Sequence, residues 1–274
     1  MRNDLRISFI GGGNMAAALI GGLAGKLVPG PNIHVVDINP EALQYLNSRY
    51  RVSTAGKIDT AVSASNAIVL ALKPQEMRGM MAELAPYISK QLVLSIAAGI
   101  RAIDLSRWLN GHRAIVRTMP NTPALIGQGI TGLTAMDGVS QVQMTLADSI
   151  MQAAGTTVWL DDESLIDAIT ALSGSGPGYV FYFIEAMQQA ALELGLNAKQ
   201  ARQISIATFT GASQLAAQLN ELVSVLRERV TSKGGTTAAA LTSLEESGVG
   251  PAIINAIKAA AVRSKELGEE FGKD

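Results

Sequence analysis

The sequence contains no cysteine, which excludes disulfide bonds, thiolate catalysis and cysteine-based metal sites. Histidine is nearly as scarce, since His34 and His112 are the only two, and they are too far apart in sequence to suggest a histidine-rich metal cluster. No metal site is therefore expected. The absence of cysteine also fits a reducing compartment, and we expect a cytoplasmic protein.

An excess of charge of either sign is also missing. The chain carries 22 basic and 23 acidic residues, without a long run of Lys or Arg, so no nucleic-acid partner is expected. No stretch of about 18 uninterrupted apolar residues suggests a membrane span. The uncharged segment 9–25 is compatible with a signal peptide, but its six glycines favour a strand, a tight turn and a helix.

What the chain does have is apolar residues, 48% of 274, enough for one large or two modest globular domains. Its first part alternates short apolar runs with helical periodicity, which is typical of a parallel sheet covered by helices on both faces. The predicted strands are 5–10, 33–36, 67–72, 92–96 and 114–118, and the predicted helices are 14–26, 40–48 and 75–87.

The pattern changes near residue 162. Beyond it no strand is expected, and the sequence becomes rich in Ala and Leu with helical spacing. The predicted helices are 163–172, 177–194, 198–219, 221–230, 236–247 and 251–268, with Gly/Ser-rich breaks at 173–176 and 232–235. The predicted fold class is therefore α/β, with a Rossmann-type mostly parallel sheet domain (1–162) followed by an all-helical C-terminal domain (163–274).

A glycine motif marks a ligand site in the first domain. Gly11-x-Gly13-x-x-Ala16 follows a predicted strand and opens a predicted helix, which is the context of dinucleotide binding. The glycines allow a tight turn and the approach of a pyrophosphate, and the helix start offers free N–H groups. The alternative is a packing turn without a ligand.

Two residues after the second strand bear on the choice of dinucleotide. Asp37 could accept hydrogen bonds from the 2′-OH of NAD and would repel the 2′-phosphate of NADP, whereas Asn39 could donate to that phosphate. Asp37 could equally be a turn residue or the N-cap of a helix beginning at Pro40. The sequence leaves NADP and NAD both open. Lys73, at another strand end, could contact a phosphate, polarise a substrate or be a solvated loop residue.

Six segments carry a resemblance. They are GGGNMA at 11–16, LKP at 72–74, SIAAGI at 95–100, RTMPNTP at 117–123, SGSGP at 173–177 and VTSKGGTT at 230–237. In order and spacing these segments resemble the pyrroline-5-carboxylate reductase family over nearly the whole chain, and VTSKGGTT is the most specific to that family.

The resemblance implies a dinucleotide-binding domain and a helical domain for dimerisation and substrate binding. It implies reduced NADP or NAD as hydride donor, conversion of 1-pyrroline-5-carboxylate to L-proline in the last step of proline biosynthesis, and a homodimer through the C-terminal helices. Members often assemble further into five dimers, a decamer. The many small apolar residues of the helical domain independently favour a homodimer.

Residue roles follow from the resemblance. The pyrophosphate loop falls on Ile10, Gly11, Gly12, Gly13, Asn14 and Met15. The contacts to the nicotinamide side fall on Ala71, Leu72, Lys73, Pro74, Ala97, Ala98 and Gly99. The loop for the substrate carboxylate falls on Ser232, Gly235, Thr236 and Thr237.

Three positions depart from the family pattern. Ile58 aligns where many members have an Asn that contacts the adenosine ribose or its phosphate. Lys233 replaces a frequent Pro, and Gly178 replaces a frequent Ala. Together with Asp37, the change at Ile58 weakens an assignment to NADP.

The implied chemistry needs little acid catalysis. A protonated C=N bond accepts hydride readily, so the main task is to orient the reactants. Thr170 could hydrogen-bond or protonate the imine nitrogen, although a Thr within a helix often only packs. Thr237 is the other expected catalytic residue, and the alternative for the loop 232–237 is a plain helix N-cap.

Two other functions are compatible with this architecture. A 3-hydroxyacid or 6-phosphogluconate type of dehydrogenase would need a lysine as acid and base, and Lys199 and Lys258 lie on predicted helices but outside any recognised motif. A non-catalytic protein that binds the nucleotide to regulate a partner is the third possibility.

Overall fold

A computed structural model describes residues 2–273 of the chain. Eight strands form one sheet in the order β3-β2-β1-β4-β5-β6-β7-β8. They are β1 (Ile7–Ile10), β2 (Ile33–Val36), β3 (Ser53–Ala55), β4 (Ala67–Leu70), β5 (Leu92–Ser95), β6 (Ile115–Met119), β7 (Gly129–Ala135) and β8 (Gly155–Trp159). All neighbours pair in parallel except β6 and β7, which are antiparallel. The mostly parallel Rossmann-type sheet is confirmed.

Helices cover both faces of this sheet. They are α1 (Asn14–Leu23), α2 (Pro40–Tyr50), α3 (Thr60–Ser63), α4 (Pro74–Leu84), α5 (Ala102–Trp108) and α6 (Gln141–Met151). Alternate residues of a strand face opposite sides. Accordingly Phe9 and Val69 pack in one buried cluster with α1 and α6, whereas Ile10 and Leu70 pack in a second cluster with α4 and α5.

The last hundred or so residues are helical, as predicted. The elements are α7 (Leu165–Ile169), a π-helical turn (Thr170–Gly174), α8 (Gly176–Glu193), α9 (Ala198–Gln218), α10 (Val223–Arg229), α11 (Thr236–Glu246) and α12 (Val249–Phe271). No strand occurs between residues 163 and 273. The predicted break at 173–176 is wrong in part, because Ser173 and Gly174 continue the helical path as members of the π-turn.

The chain divides into two compact units. The first, here called the sheet unit, comprises the chain up to Ser175 together with the segment from Ala260 onward. The second, the helical unit, is Gly176–Ala259. Residues 163–175 therefore pack with the sheet. A division of roles at residue 162, between a dinucleotide-binding domain and a domain for dimerisation and substrate binding, stays a prediction. Within residues 2–273, no helix combines the length and the apolar character that crossing a membrane requires.

Candidate active site

The predicted cofactor segments meet at one edge of the sheet. Because β1, β4 and β5 are parallel neighbours, their carboxyl ends lie side by side. The N–H of Ala71 donates to the carbonyl of Ile10 at 2.8 Å, and the N–H of Ile96 donates to the carbonyl of Leu70 at 3.2 Å. Ligands of open α/β sheets bind at this edge.

The glycine loop has the geometry that its motif requires. Gly11 has φ +102°, and a β-carbon there would overlap the backbone carbonyl of Ala71, so only glycine fits. Gly13 is exposed, and an added β-carbon would meet no atom within 4 Å. The first glycine therefore serves the turn, whereas the space beside Gly13 is open for a ligand.

The start of α1 is suited to an anion. Gly13 is the N-cap and supplies no side-chain hydrogen bond to the first turn. The first N–H groups of a helix lack partners within the helix, and they form the positive end of its dipole. Asn14 is exposed at this end, and Ala16, which is 1% exposed, packs into the core. A pyrophosphate would satisfy these donors.

Asp37 lies directly beside the glycine loop. Its Oδ2 accepts a hydrogen bond from the N–H of Gly12 at 2.6 Å, and its Oδ1 accepts one from the N–H of Asn39 at 2.7 Å. The N-cap of α2 is Asn39, whose Oδ1 accepts from the N–H of Glu41 at 3.0 Å. Asp37 is thus not the N-cap, and Asn39 can offer a ligand only its amide N–H groups.

Ile58 belongs to the core. It is 8% exposed and packs in the second buried cluster, on the face of the sheet covered by α4 and α5. Where the family resemblance implies a polar ligand contact, this chain therefore has an apolar side chain that supports the fold.

The two nicotinamide-side segments differ in accessibility. Lys73 is exposed at the N-cap of α4, and Ala71, Leu72 and Pro74 are half-buried. Ala98 is half-buried, whereas Ala97 and Gly99 are buried.

The end of α12 covers Gly99. Gly99 has φ +76°, and a β-carbon there would lie 3.1 Å from Cβ of Leu267 and 3.4 Å from the ring of Phe271. Of this second segment, Ala98 is therefore the residue best placed to meet a ligand.

Charges hold the chain that follows this second segment. The Nε of Arg101 donates to Oδ2 of Asp104 at 2.7 Å, and this hydrogen bond holds the pKa of Arg101 above its ordinary value. Asp104 is 2% exposed and also pairs with Arg107 at 3.3 Å. The N–H of Ala102 donates to Glu163 at 2.8 Å, which ties this loop to the segment before α7.

Thr170 begins the π-turn. Its Oγ1 donates to the carbonyl of Ile166 at 2.8 Å, so its proton is engaged and its oxygen remains able to accept. The turn closes through a hydrogen bond from the N–H of Ser175 to the carbonyl of Thr170 at 2.8 Å. π-Turns inside helices occur frequently at functional sites.

The sequence assigned no role to two side chains that contact this region. Arg117 is 3% exposed, and its Nη1 lies 3.0 Å from Oε1 of Glu163. Asn121 donates to the carbonyl of Ser173 at 3.3 Å and to its hydroxyl at 3.2 Å. Both lie in the segment 117–123 that carries the family resemblance, and the available signal was a charged Arg117 inside the predicted strand 114–118.

The predicted carboxylate loop lies in the helical unit. Gly234 has φ +70°, and the N–H of Gly235 donates to the carbonyl of Ser232 at 3.0 Å, which closes a turn. Gly235 is the N-cap of α11 and provides no side-chain hydrogen bond to the first turn. Thr236 is exposed and Thr237 half-buried, so a helix start with free donors and two hydroxyls is present.

Two family models match the chain. The model described as pyrroline-5-carboxylate reductase dimerisation matches residues 163–267, and the model described as NADP oxidoreductase, coenzyme F420-dependent, matches residues 6–99.

Among residues 2–273, no group of three or more His, Cys, Asp or Glu side chains could hold a metal ion.

Individual relatives extend the match to the whole chain. A pyrroline-5-carboxylate reductase of Pseudomonas aeruginosa is 42% identical over 269 residues, which are 98% of this chain and 98% of that one. The corresponding protein of Haemophilus influenzae is 39% identical over 95% of this chain and 97% of its own.

Solved structures agree. The pyrroline-5-carboxylate reductase from Coxiella burnetii has a TM-score of 0.91 at 38% identity, covering 97% of this chain and 99% of that one. The pyrroline carboxylate reductase of Plasmodium falciparum, solved with NADP bound, has a TM-score of 0.87 at 26% identity over 97% of this chain and 99% of its own. The chain therefore belongs to the pyrroline-5-carboxylate reductase family.

Proposed function

We propose that this protein is an NAD(P)H-dependent reductase that transfers hydride to the C=N bond of 1-pyrroline-5-carboxylate and so produces L-proline. The observation that carries the proposal is the turn at Gly11–Gly13, which opens α1 at the carboxyl edge of the sheet in a chain 42% identical to a pyrroline-5-carboxylate reductase. The other residue roles below are part of the same proposal.

The cofactor would be held by the sheet unit. The backbone of the Gly11–Gly13 turn and the first N–H groups of α1 bind the pyrophosphate, and Asp37 and Asn39 face the adenosine ribose. Ala71–Pro74 and the half-buried Ala98 border the nicotinamide. When bound, the reduced nicotinamide supplies the hydride.

The substrate carboxylate would be held by the helical unit. The free N–H groups at the start of α11, with the hydroxyls of Ser232, Thr236 and Thr237, provide donors for one carboxylate. Gly235 permits the close turn, because a β-carbon there would overlap the hydroxyl of Ser232. Hydride transfer requires that the C=N carbon of the substrate molecule held by this carboxylate lie next to the nicotinamide.

The reaction balances without a strong acid. The substrate binds with its nitrogen protonated, the hydride forms a C–H bond at the C=N carbon, and the π electrons become the nitrogen lone pair. Thr170 takes the role of acceptor, since its own proton is donated to Ile166 and its oxygen can receive the iminium N–H. The protein then contributes mainly orientation.

We further propose a homodimer formed through the C-terminal helices. Within residues 176–259, Ala201 and Ser205 are the two fully buried residues, whereas Phe181 is 65% and Tyr182 72% exposed. So much open apolar surface is typical of an interface. The match of residues 163–267 to a dimerisation model supports the same reading. Assembly of five dimers and a cytoplasmic location remain parts of this proposal.

A steady-state assay tests the function directly. The purified protein is incubated with NADH or NADPH and either 1-pyrroline-5-carboxylate or a 3-oxoacid. We expect oxidation of the cofactor and formation of proline with the first substrate only. Turnover of the 3-oxoacid would instead favour the hydroxyacid dehydrogenase alternative, and cofactor binding without turnover would favour a regulatory protein.

A crystal soaked with oxidised cofactor and proline tests the site. The carboxylate of proline is expected at Ser232–Thr237 and its ring next to the nicotinamide. A carboxylate bound far from the nicotinamide would contradict the assignment of this loop.

A further inference from the structure

The π-turn Thr170–Gly174 packs against three residues that follow one another on a single strand and its extension. Arg117 and Met119 belong to β6, and Asn121 follows it in extended conformation. Alternate residues of an extended chain face the same side. These three side chains therefore form one row that faces the segment 163–174.

Arg117 acts at the beginning of the segment. Its guanidinium is 3% exposed, and lies 3.0 Å from Glu163 and 3.9 Å from Asp167. Asp167 stands one helical turn before Thr170 and also accepts a hydrogen bond from the hydroxyl of Ser264 at 2.7 Å. The start of the segment is thereby fixed by a buried cation to two carboxylates, one of which is itself held by α12.

Asn121 acts at the end of the segment. Its amide donates to both the carbonyl and the hydroxyl of Ser173, at 3.3 and 3.2 Å. Its Oδ1 accepts from the N–H of Ile130 at 3.0 Å, so the side chain is anchored to the first strand residues of β7. Between the two polar contacts, Met119 packs so closely on Gly174 that a β-carbon there would lie 2.5 Å from its methyl group.

The location of this row links it to the chemistry. β6 runs parallel to β5, so its end lies at the carboxyl edge of the sheet, where the glycine loop and Ala71 also lie. We infer that Arg117 and Asn121 are positioning residues that clamp both ends of the π-turn and so hold Thr170 in the place that hydride transfer requires. This inference rests on the proposed function of Thr170, since neither clamp residue need touch the substrate.

Two conservative variants separate the clamp from general stability. Asn121→Asp keeps the acceptor for Ile130 but cannot donate to Ser173 while it is ionised. Arg117→Lys keeps the charge but loses the planar fork that reaches two carboxylates. Arg113→Lys is the matched control, because Arg113 forms an exposed ion pair with Asp137 away from the π-turn. Circular dichroism and thermal melting establish that each variant is folded.

Kinetics give the expected result. Displacing a reacting group by about 1 Å can reduce the rate about 100-fold, so we expect kcat to fall at least tenfold in both clamp variants. The KM for the cofactor should stay within about twofold of wild type, because the glycine loop is untouched. With the 4-deuterated cofactor, the hydride isotope effect on kcat should rise as the chemical step becomes slower. Arg113→Lys should match wild type in all three quantities.

Hydrogen exchange provides a second readout that does not depend on turnover. The Ser175 amide, which closes the π-turn through Thr170, should exchange faster in both clamp variants than in wild type and in Arg113→Lys. Folded clamp variants with wild-type kcat and wild-type Ser175 exchange would overturn the inference, as would an equal loss of kcat in Arg113→Lys. If Arg117→Lys does not fold, Asn121→Asp decides alone.

Failure of the proposed function gives a different result. Wild type would then not turn over 1-pyrroline-5-carboxylate at all, and Ser175 exchange would still report whether the clamp holds the π-turn. Unchanged exchange in both variants would overturn the clamp in that case as well.

Discussion

The carboxylate of Asp37 accepts a hydrogen bond from the backbone N–H of Gly12 at 2.6 Å. Its other oxygen accepts from the N–H of Asn39 at 2.7 Å, so both oxygens stay beside the glycine loop. A negative charge is thereby fixed where the adenosine ribose is expected. The 2′-hydroxyl of NADH can donate to this carboxylate, whereas the 2′-phosphate of NADPH is repelled by it.

Replacing Asp37 with Asn should shift cofactor preference toward NADPH. The change removes the charge and retains an oxygen that can accept from Gly12. We expect the ratio of kcat/KM for NADPH to that for NADH to rise about tenfold, which corresponds to about 1.4 kcal/mol. Asp137→Asn, which changes an exposed acid paired with Arg113, is the control. An unchanged ratio would show that Asp37 does not face the ribose.

Two glycines of the loop should respond differently to alanine. Gly11→Ala forces a side chain into φ +102° and against the carbonyl of Ala71, so we expect urea denaturation to show a loss of about 2 kcal/mol or more. Gly13→Ala has free space and should cost no more than about 1 kcal/mol, the difference between glycine and alanine as an N-cap. Its expected effect is a higher KM for the cofactor, because the pyrophosphate approaches there. Equal losses of stability in the two variants would contradict this division.

The hydroxyl of Thr237 should matter for the substrate rather than for the cofactor. Thr237→Ala removes one donor from the carboxylate loop, and we expect the KM for 1-pyrroline-5-carboxylate to rise about tenfold. The KM for the cofactor should be unaffected in the same assay. Thr208→Ala in α9, where the hydroxyl donates to Ile204 at 2.8 Å, serves as the control. Equal increases for both ligands would remove Thr237 from the substrate site.

The exposed aromatic surface of α8 should carry the dimer. Phe181→Glu introduces a charge into an apolar surface, and burying an unpaired charge in an interface is strongly unfavourable. Light scattering coupled to size exclusion should show a dimer or a larger assembly for wild type and a monomer for this variant. Val142→Glu, at a 75% exposed position of α6, should assemble like wild type. A wild-type monomer would contradict the proposed assembly.

Protonation of His112 should make the fold less stable in mild acid. Burial holds the pKa of His112 below its ordinary value, and its Nε2 donates to the carbonyl of Gln91 at 2.9 Å. The unfolded chain then binds more protons than the folded one as the pH falls through about 6.5, so the free energy of unfolding decreases.

Urea denaturation of wild type and His112→Gln measures this effect. Between about pH 7.5 and pH 5.5, wild type should lose more stability than the variant, because the variant lacks the proton uptake at this site. The same pH dependence in both proteins would show that His112 is not the responsible group.

The sequence could predict five of the eight strands because each is an apolar run that is buried on both faces. The other three offer no such pattern. β3 is a three-residue edge strand of sequence Ser-Thr-Ala, β7 contains two glycines, and β8 is a partly exposed edge strand. These strands form because a neighbour offers hydrogen bonds, which no local pattern reveals.

The candidate site shows the same limit. The glycine loop is predictable because its backbone geometry demands particular residues at fixed spacing. The contact of Asn121 with Ser173 joins residues 52 positions apart in the chain, and the one of Asp167 with Ser264 joins residues 97 apart. Such pairs follow from the packing of distant segments, so the sequence alone gave no role to Arg117 or Asn121.

The end of α12, which covers Gly99, has a consequence for how the molecule is made. The Nη2 of Arg107 donates to the carbonyl of Gly272 at 2.7 Å, and Leu267 and Phe271 lie against the loop after β5. A chain synthesised from its N-terminus has all eight strands long before these residues exist. The sheet unit therefore stays incomplete until residues 260–273 have been synthesised and have left the ribosome, and a fragment ending at residue 259 exposes the apolar surface that they cover.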